Sequence, residues 1–244
     1  MKGAENPYDQ LNNTLLTEYG LNMQATFSVR ELPLVIREQI IPLLEQDAES
    51  GSLLLLGNGG KAFWQALTPA VWDSSEPLDC HSIEMARAYL RQMFPGRRYR
   101  VLYPSIEPVG LQQLGRLAGW HGDSPLKLGI NPVFGLWYAY RALLWVEGAL
   151  PATHPPTFQS PCLQCAEKHC IQSCPADALS EEPKYLRACI DFRLAAKSPC
   201  QSNCLARLQC PVALQHQYSS EQIRYHYTQS FETLVRWRNA GSLA

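Results

Sequence analysis

Residues 128–146 read LGINPVFGLWYAYRALLWV. From Phe134 to Val146 the run is apolar and aromatic, which predicts a long strand covered on both faces. One charged residue, Arg141, interrupts it. An arginine inside such a run needs an anionic partner or a cavity to face, which makes Arg141 the leading functional candidate outside the cysteines. The interruptions at Asn131, Pro132, Arg141 and Glu147 also rule the segment out as a membrane span.

Upstream, residues 25–29 alternate like a strand, residues 53–56 form an all-apolar run that suits a buried strand, and residues 99–103 read as a third strand. Apolar residues at helical spacing predict helices over residues 8–18, 60–67, 82–94 and 111–118, the third stopped by Pro95-Gly96. Strand and helix signals in this order predict a layered α/β or α+β domain over residues 1–150. Pro151, Pro155, Pro156 and Pro161 then mark a connector over residues 151–161, followed by a cysteine-rich segment (162–212) and a polar, tyrosine-rich helical tail (213–244).

The chain has 244 residues, 46% of them apolar, enough for a true hydrophobic core. Its 21 basic and 22 acidic side chains give a net charge of −1, so no global field draws it to nucleic acid or an anionic membrane, and a nucleic-acid partner is not expected. The first ten residues are polar and no apolar run is long enough to span a bilayer, so the expected location is cytoplasmic, with no membrane partner. In a reducing compartment, clustered cysteines are expected to hold metal rather than to form disulfides.

Two local motifs fail on spacing. Gly57-Asn58-Gly59-Gly60-Lys61 follows a strand and opens a helix, but the phosphate loop's first glycine would fall at Leu55, and Ala62 stands where Ser or Thr is needed. The expectation is a tight strand-to-helix turn. Asp79-Cys80-His81 starts like a corrinoid-binding Asp-x-His-x-x-Gly signature, but Glu84 replaces the glycine. His81, His121, His154, His216 and His226 read as structural or surface histidines.

Eight of the nine cysteines lie between residues 162 and 210, at Cys162, Cys165, Cys170, Cys174, Cys189, Cys200, Cys204 and Cys210, and both Cys174 and Cys210 precede proline. The pattern resembles the bacterial two-cluster ferredoxins, in which each cysteine run wraps one 4Fe-4S cluster and the cysteine before proline crosses to the other. That resemblance implies one set of Cys162, Cys165, Cys170 and Cys210 and another of Cys174, Cys189, Cys200 and Cys204. Four residues, Ala166 to His169, stand where the ferredoxin run has two, and the second half is stretched as well. Structural zinc remains an alternative, pairing Cys162/Cys165 with Cys200/Cys204, but it leaves the other four cysteines at irregular spacing and the Cys-Pro endings unexplained. His169 is a further alternative ligand.

The segment Asn131-Pro132-Val133-Phe134-Gly135-Leu136-Trp137, with Leu117-Ala118-Gly119-Trp120 before it, resembles a stretch shared by epoxyqueuosine reductases and the cobalamin-processing CblC family. Residues 27–33, 53–67 and 218–222 resemble further CblC segments in the same order. Both families have a nitroreductase-like α+β fold that binds cobalamin, and epoxyqueuosine reductases add a two-cluster module. The resemblance implies a nitroreductase-like domain followed by a small ferredoxin-like iron–sulfur module, with cobalamin and two 4Fe-4S clusters as cofactors. Pro132, Phe134, Gly135, Trp137 and Arg141 would shape the corrinoid pocket, Arg141 also serving a thiol cosubstrate. The implied activity is that of a corrinoid-dependent oxidoreductase in reductive cobalamin processing, drawing on a low-potential donor such as a flavodoxin or ferredoxin. A non-catalytic electron carrier or cobalamin chaperone is the first alternative and tRNA modification the second. Against tRNA modification, Ser105 stands at the acid position of that family's Asp-Thr-Gly-Pro stretch, with Glu107 the nearest acid.

Overall fold

The computed structural model describes residues 6–44, 48–179 and 185–242, leaving aside the side chains of residues 48 and 185. Two compact units emerge, Met1–His121 with Tyr138–Phe158, and Gly122–Trp137 with Gln159–Ala244. The division departs from the composition break near residue 150. Residues 122–137 fold with the cysteine segment, and residues 151–158, read as connector, belong to the first unit. The proline content marks extended chain, and extended chain can still be pinned: the Thr26 hydroxyl donates to Pro151 O, and Thr26 N donates to Thr153 Oγ1 at 2.9 Å.

The first unit is a four-stranded antiparallel sheet in the order β1-β2-β4-β3, with β1 at Met23–Ser28, β2 at Ser52–Gly59, β3 at Tyr99–Tyr103 and β4 at Tyr138–Val146. Every residue of β2 is buried, as an unbroken Leu53-Leu54-Leu55-Leu56 run requires. Helices α1 (Thr14–Glu18), α2 (Leu34–Ile40), α3 (Ala62–Ala66), α4 (Pro77–Met93) and α5 (Leu111–Leu117) complete the unit. α4 lies against β4 and buries Leu78, Ser82, Ala86, Tyr89 and Leu90, one stripe at helical spacing.

The β2–β4 ladder slips at Arg141. Leu56 faces Ala142 and Gly57 faces Tyr140, so Arg141 is the extra residue of a β-bulge. Gly57 is obligatory there, since a Cβ would stand 2.8 Å from Ala139 O and 2.9 Å from the Trp120 ring.

β4 also starts later than composition predicts, at Tyr138 rather than Phe134. Asn131 ends the expected run by chemistry that apolar counting misses: its Oδ1 accepts from Val133 N at 2.9 Å and Phe134 N at 3.0 Å, closing an Asx turn. Asn131 and Gly135 then exchange backbone hydrogen bonds, with Gly135 at φ +59°.

The second unit carries α6 (His169–Gln172), α7 (Tyr185–Leu194), α8 (Leu205–Leu208) and α9 (Ser220–Asn239). Among its described residues there is no extended strand, so its likeness to a ferredoxin rests on cysteine spacing alone. α9 falls inside the expected helical tail and is capped by Ser219, whose hydroxyl accepts from Gln222 N. Among the described residues no helix is long and apolar enough to cross a membrane.

Candidate functional site

The loop from Ser160 to Cys170 shows how an enlarged cysteine spacing can close. Ser160 Oγ accepts from Cys162 N and donates to Asp123 O at 2.8 Å, anchoring the first turn. The two extra residues between Cys165 and Cys170 are absorbed where Lys168 takes a left-handed conformation (φ +45°) and Gln172 Nε2 donates to Glu167 O at 2.9 Å. α6 then carries Cys170 inward, where it is buried.

Cys162, Cys165, Cys170 and Cys210 line one small cavity walled by Ile130 and Leu136, and His169 reaches it too. Burial pushes the Cys162, Cys170 and Cys210 thiols up; within this set Cys165 raises all three, and Cys210 also raises Cys162 and Cys170. The other four form a separate neighbourhood. Cys189 and Cys200 are pushed up first by burial, then by Cys204 and Cys174, while Arg193 opposes the shift at both. The shared cavity holds the first set that the ferredoxin resemblance implies, and the members of the second act on one another's thiols.

As free thiols Cys162, Cys170, Cys189, Cys200 and Cys210 resist ionisation; four thiolates together would repel one another in a half-buried space. A centre supplying positive charge removes both penalties, because metal coordination deprotonates a thiol outright. Backbone donors are also aimed at sulfur. Ala178 N donates to Cys174 Sγ at 3.4 Å, and N–H groups of Val212, Leu205 and Ile171 favour the charged forms of Cys210, Cys200 and Cys170. The donor sets therefore fit iron–sulfur clusters chemically. Among the described residues no three Cys, His, Asp or Glu side chains converge as a site for a single metal ion.

The five residues expected around a corrinoid are distributed between the two units. Pro132 forms the Asx turn in the second unit. There Gly135 faces Val212 so closely that a Cβ would collide with its carbonyl oxygen. Phe134 packs edge-on to His216 at 4.8 Å, and Trp137, fully buried, meets Tyr218 at 5.4 Å and the Arg207 guanidinium at 4.5 Å.

In the first unit Arg141 is 6% exposed. Its Nε donates to Asn58 Oδ1 at 2.6 Å, and its guanidinium lies 4.5 Å from the centre of the Phe63 ring. Asp79 lies within range of its charge. Burial raises the Asp79 carboxyl, Arg141 opposes this, and Glu76 adds to it. Gly57, Asn58 and Gly59, expected as part of a turn, are the end of β2, and it is the strand that presents Asn58 to the arginine.

The fold is shared with CblC and epoxyqueuosine reductase. A B12-trafficking CblC from C. elegans superposes with a TM-score of 0.52 at 15% identity, covering 88% of this chain and 89% of that one. An epoxyqueuosine reductase bound to a tRNA stem loop gives 0.51 at 12% identity, over 88% of this chain and 68% of that one. The Streptococcus thermophilus epoxyqueuosine reductase scores 0.48 at 9% identity, and this chain spans 64% of its length. No family model and no curated protein sequence matches the chain. At these identities what is shared is the fold.

Ser105 and Glu107, which the resemblance sets against the acid stretch of epoxyqueuosine reductases, are exposed, and the Ser105 hydroxyl donates to Leu102 O at 2.9 Å. The sequence reading gave no role to a buried cluster beside Trp120. Tyr138 and Tyr140 place their hydroxyls 3.3 and 3.2 Å from His121 Nδ1. Burial raises both phenols, Tyr140 to about 12, so both stay protonated near neutrality. His121 signalled nothing in sequence because its partners lie 17 and 19 residues away.

Proposed function

We propose that the second unit holds two 4Fe-4S clusters, one on Cys162, Cys165, Cys170 and Cys210 and the other on Cys174, Cys189, Cys200 and Cys204, and that the chain is a corrinoid-dependent oxidoreductase. The observation that carries the cluster half is the separation of the eight cysteines into two thiol neighbourhoods, each mixing residues distant in sequence. Bound clusters of this type supply electrons at the low potentials that reduction of a corrinoid cobalt requires. The chain's own groups hold the sulfurs, aim N–H donors at them and wall the first set with Ile130 and Leu136.

Support for the corrinoid half comes from the fold shared with a B12-trafficking protein. Pro132, Phe134, Gly135, Trp137 and Arg141 are its proposed lining. A low-potential flavodoxin or ferredoxin is the proposed donor, and a thiol compound the proposed cosubstrate.

Anaerobic purification with iron and acid-labile sulfide analysis tests the cluster half. The expected result is about eight of each per chain, four for each cubane. Zinc without sulfide overturns it. Cobalamin titration followed in the visible spectrum tests the other half, and an unchanged spectrum overturns it. Cluster and cobalamin binding without turnover of cyano- or alkylcobalamin under reducing conditions would make the chain a carrier or chaperone.

A second reading, tRNA-directed reduction, is favoured by the fold shared with a reductase bound to a tRNA stem loop, whatever the near-neutral charge suggests. It predicts stem-loop binding that weakens steeply with salt. Unchanged activity in Glu107→Gln would remove that acid from its mechanism.

A further inference from the structure

Residues 87–100 hold five arginines and no acid, a basic run that the proposed clusters leave unused. Two of the five hold the fold together: Arg97 Nη1 donates to Ala149 O at 2.6 Å, and Arg98 pairs with Glu147 at 2.7 Å. Arg87 and Arg91, both on α4, are exposed, and among the described residues neither guanidinium makes an ion pair or a hydrogen bond. Both line a cavity of about 530 Å³ beside the helix.

The cavity follows one ridge of α4. Asp79, Ile83, Arg87 and Arg91 recur every four residues along it, next to the buried stripe of Leu78, Ser82, Ala86 and Leu90. Charge changes sign along this ridge. Asp79 and Glu84 stand toward the N-terminal end and the two arginines beyond them, while Ile83 and Pro104 give the cavity apolar wall. Asp79 is half-buried, and no hydrogen bond or ion pair reaches its carboxylate among the described residues. By the helical rise, Arg87 and Arg91 stand about 12 and 18 Å past Asp79. Long side chains on a helix lean back toward its N-terminus, which shortens that gap.

A bare anion would use only half of such a cavity, and a cation only the other half. Guanidinium groups match phosphate oxygens in paired hydrogen bonds, and an ionised carboxylate can only accept. The volume falls in the range of small-molecule sites, about 300 to 1,000 Å³. We propose that this cavity binds a small phosphate ester whose body carries N–H groups, as a nucleotide does, with the phosphate on Arg87 and Arg91 and an N–H on the Asp79 carboxylate. Two sources supply this chemistry, a free nucleotide and the nucleotide tail of a corrinoid. The site stands apart from the cluster and corrinoid readings, since a chain lacking both cofactors can still bind a free nucleotide.

The test is isothermal titration calorimetry at low salt on the full chain, purified anaerobically, as wild type, Arg87→Gln, Arg91→Gln, Asp79→Asn and Arg100→Gln. The ligands are AMP, adenosine and inorganic phosphate, followed by cobalamin and by cobinamide, which lacks the nucleotide tail. AMP should bind the wild type about tenfold more tightly than adenosine or phosphate does, and each of Arg87→Gln and Arg91→Gln should weaken AMP about tenfold while leaving adenosine unchanged. Asp79→Asn should weaken AMP and adenosine but not phosphate. Arg100→Gln, an exposed arginine of the same run outside the cavity, should leave AMP unchanged.

Losses seen with AMP alone assign the site to a free nucleotide. Losses seen with cobalamin, with cobinamide unaffected, assign it to the tail of the corrinoid. Equal affinity of the wild type and both cavity-arginine variants for AMP and for cobalamin overturns the proposal, as does a wild type that binds neither. An equal loss in Arg100→Gln also overturns it, because it marks a general basic field rather than a site. If Asp79→Asn fails to fold by circular dichroism, the two exposed arginines decide. Cobalamin that does not bind while AMP does sinks the corrinoid reading and leaves the site standing.

Discussion

Arg141, Asp79 and His81 show how much chemistry one bulge gathers in an apolar unit. His81 is buried, with its ring 5.3 Å from Phe63 and 5.7 Å from Tyr19, and its Nε2 has no hydrogen-bond partner. Burial lowers its pKa; the Tyr19 carbonyl and Glu84 oppose the shift, and Arg141 adds to it. The unfolded chain then takes up a proton that the folded chain refuses. His81's contribution to stability is whole above its unfolded value of about 6.5 and is lost as the pH falls from there through the lower folded value. Unfolding midpoints at pH 7.5 and 5.5 should show a loss in the wild type that His81→Gln reduces; equal losses in both would dismiss the idea. Arg141→Met keeps the aliphatic stem but strips Asn58 of its donor and Asp79 of its nearby cation. Urea denaturation should show a loss of about 2 to 4 kcal/mol. The demand of Arg141 for company was legible in the sequence. Its companions were not, because Asn58 and Asp79 lie 83 and 62 residues away and become neighbours only through the β2–β4 pairing and the packing of α4 on β4.

At the level of elements, strands and helices with clear periodicity were readable, although α2 was not predicted and α4 begins five residues before the predicted 82; two other departures come from single polar or glycine residues. β3 occupies the predicted residues 99–103, whereas the predicted helix over residues 8–18 shrinks to α1, which starts behind the Asn13 cap. The strand expected from Phe134 is cut short because Asn131 and Gly135 build a turn from an apolar stretch, and apolar counting is blind to both. This turn gives a test against a matched control. Gly135 and Gly96 both have positive φ, +59° and +83°, but only Gly135 faces backbone, at Val212, while a Cβ at Gly96 meets nothing within 4 Å. Gly96→Ala should cost only the left-handed strain, about 1 kcal/mol, and Gly135→Ala about 2 to 4 kcal/mol through strain plus overlap. Denaturation midpoints compare the two, and equal costs would show that the Val212 contact relaxes freely. Ser219→Ala, removing the cap of α9, should cost about 1 kcal/mol by the same measurement.

Across the whole molecule, composition located the cysteine segment but not the partner segment that folds with it, because residues 122–137 are separated from it in the chain by β4 and join it only on folding. The crossing of the two Cys-Pro cysteines is what the ferredoxin resemblance implies. Cys174 is four residues from Cys170, yet it raises the thiols of Cys189 and Cys200; Cys210, 48 residues beyond Cys162, raises those of Cys162 and Cys170. The topology makes a prediction that proximity in sequence would reverse. On the proposed reading, Cys174→Ser and Cys189→Ser should each lower iron and sulfide by about half, and their double variant should fall no further, because one incomplete set of thiolates is already unable to hold its cubane. Cys174→Ser with Cys170→Ser, neighbours in the chain, should instead lose nearly all of both. Metal and sulfide counts on anaerobically purified chains decide it. If the 170/174 pair loses only half while the 174/189 pair loses everything, each quartet is built from neighbours in sequence, and the crossed arrangement is wrong.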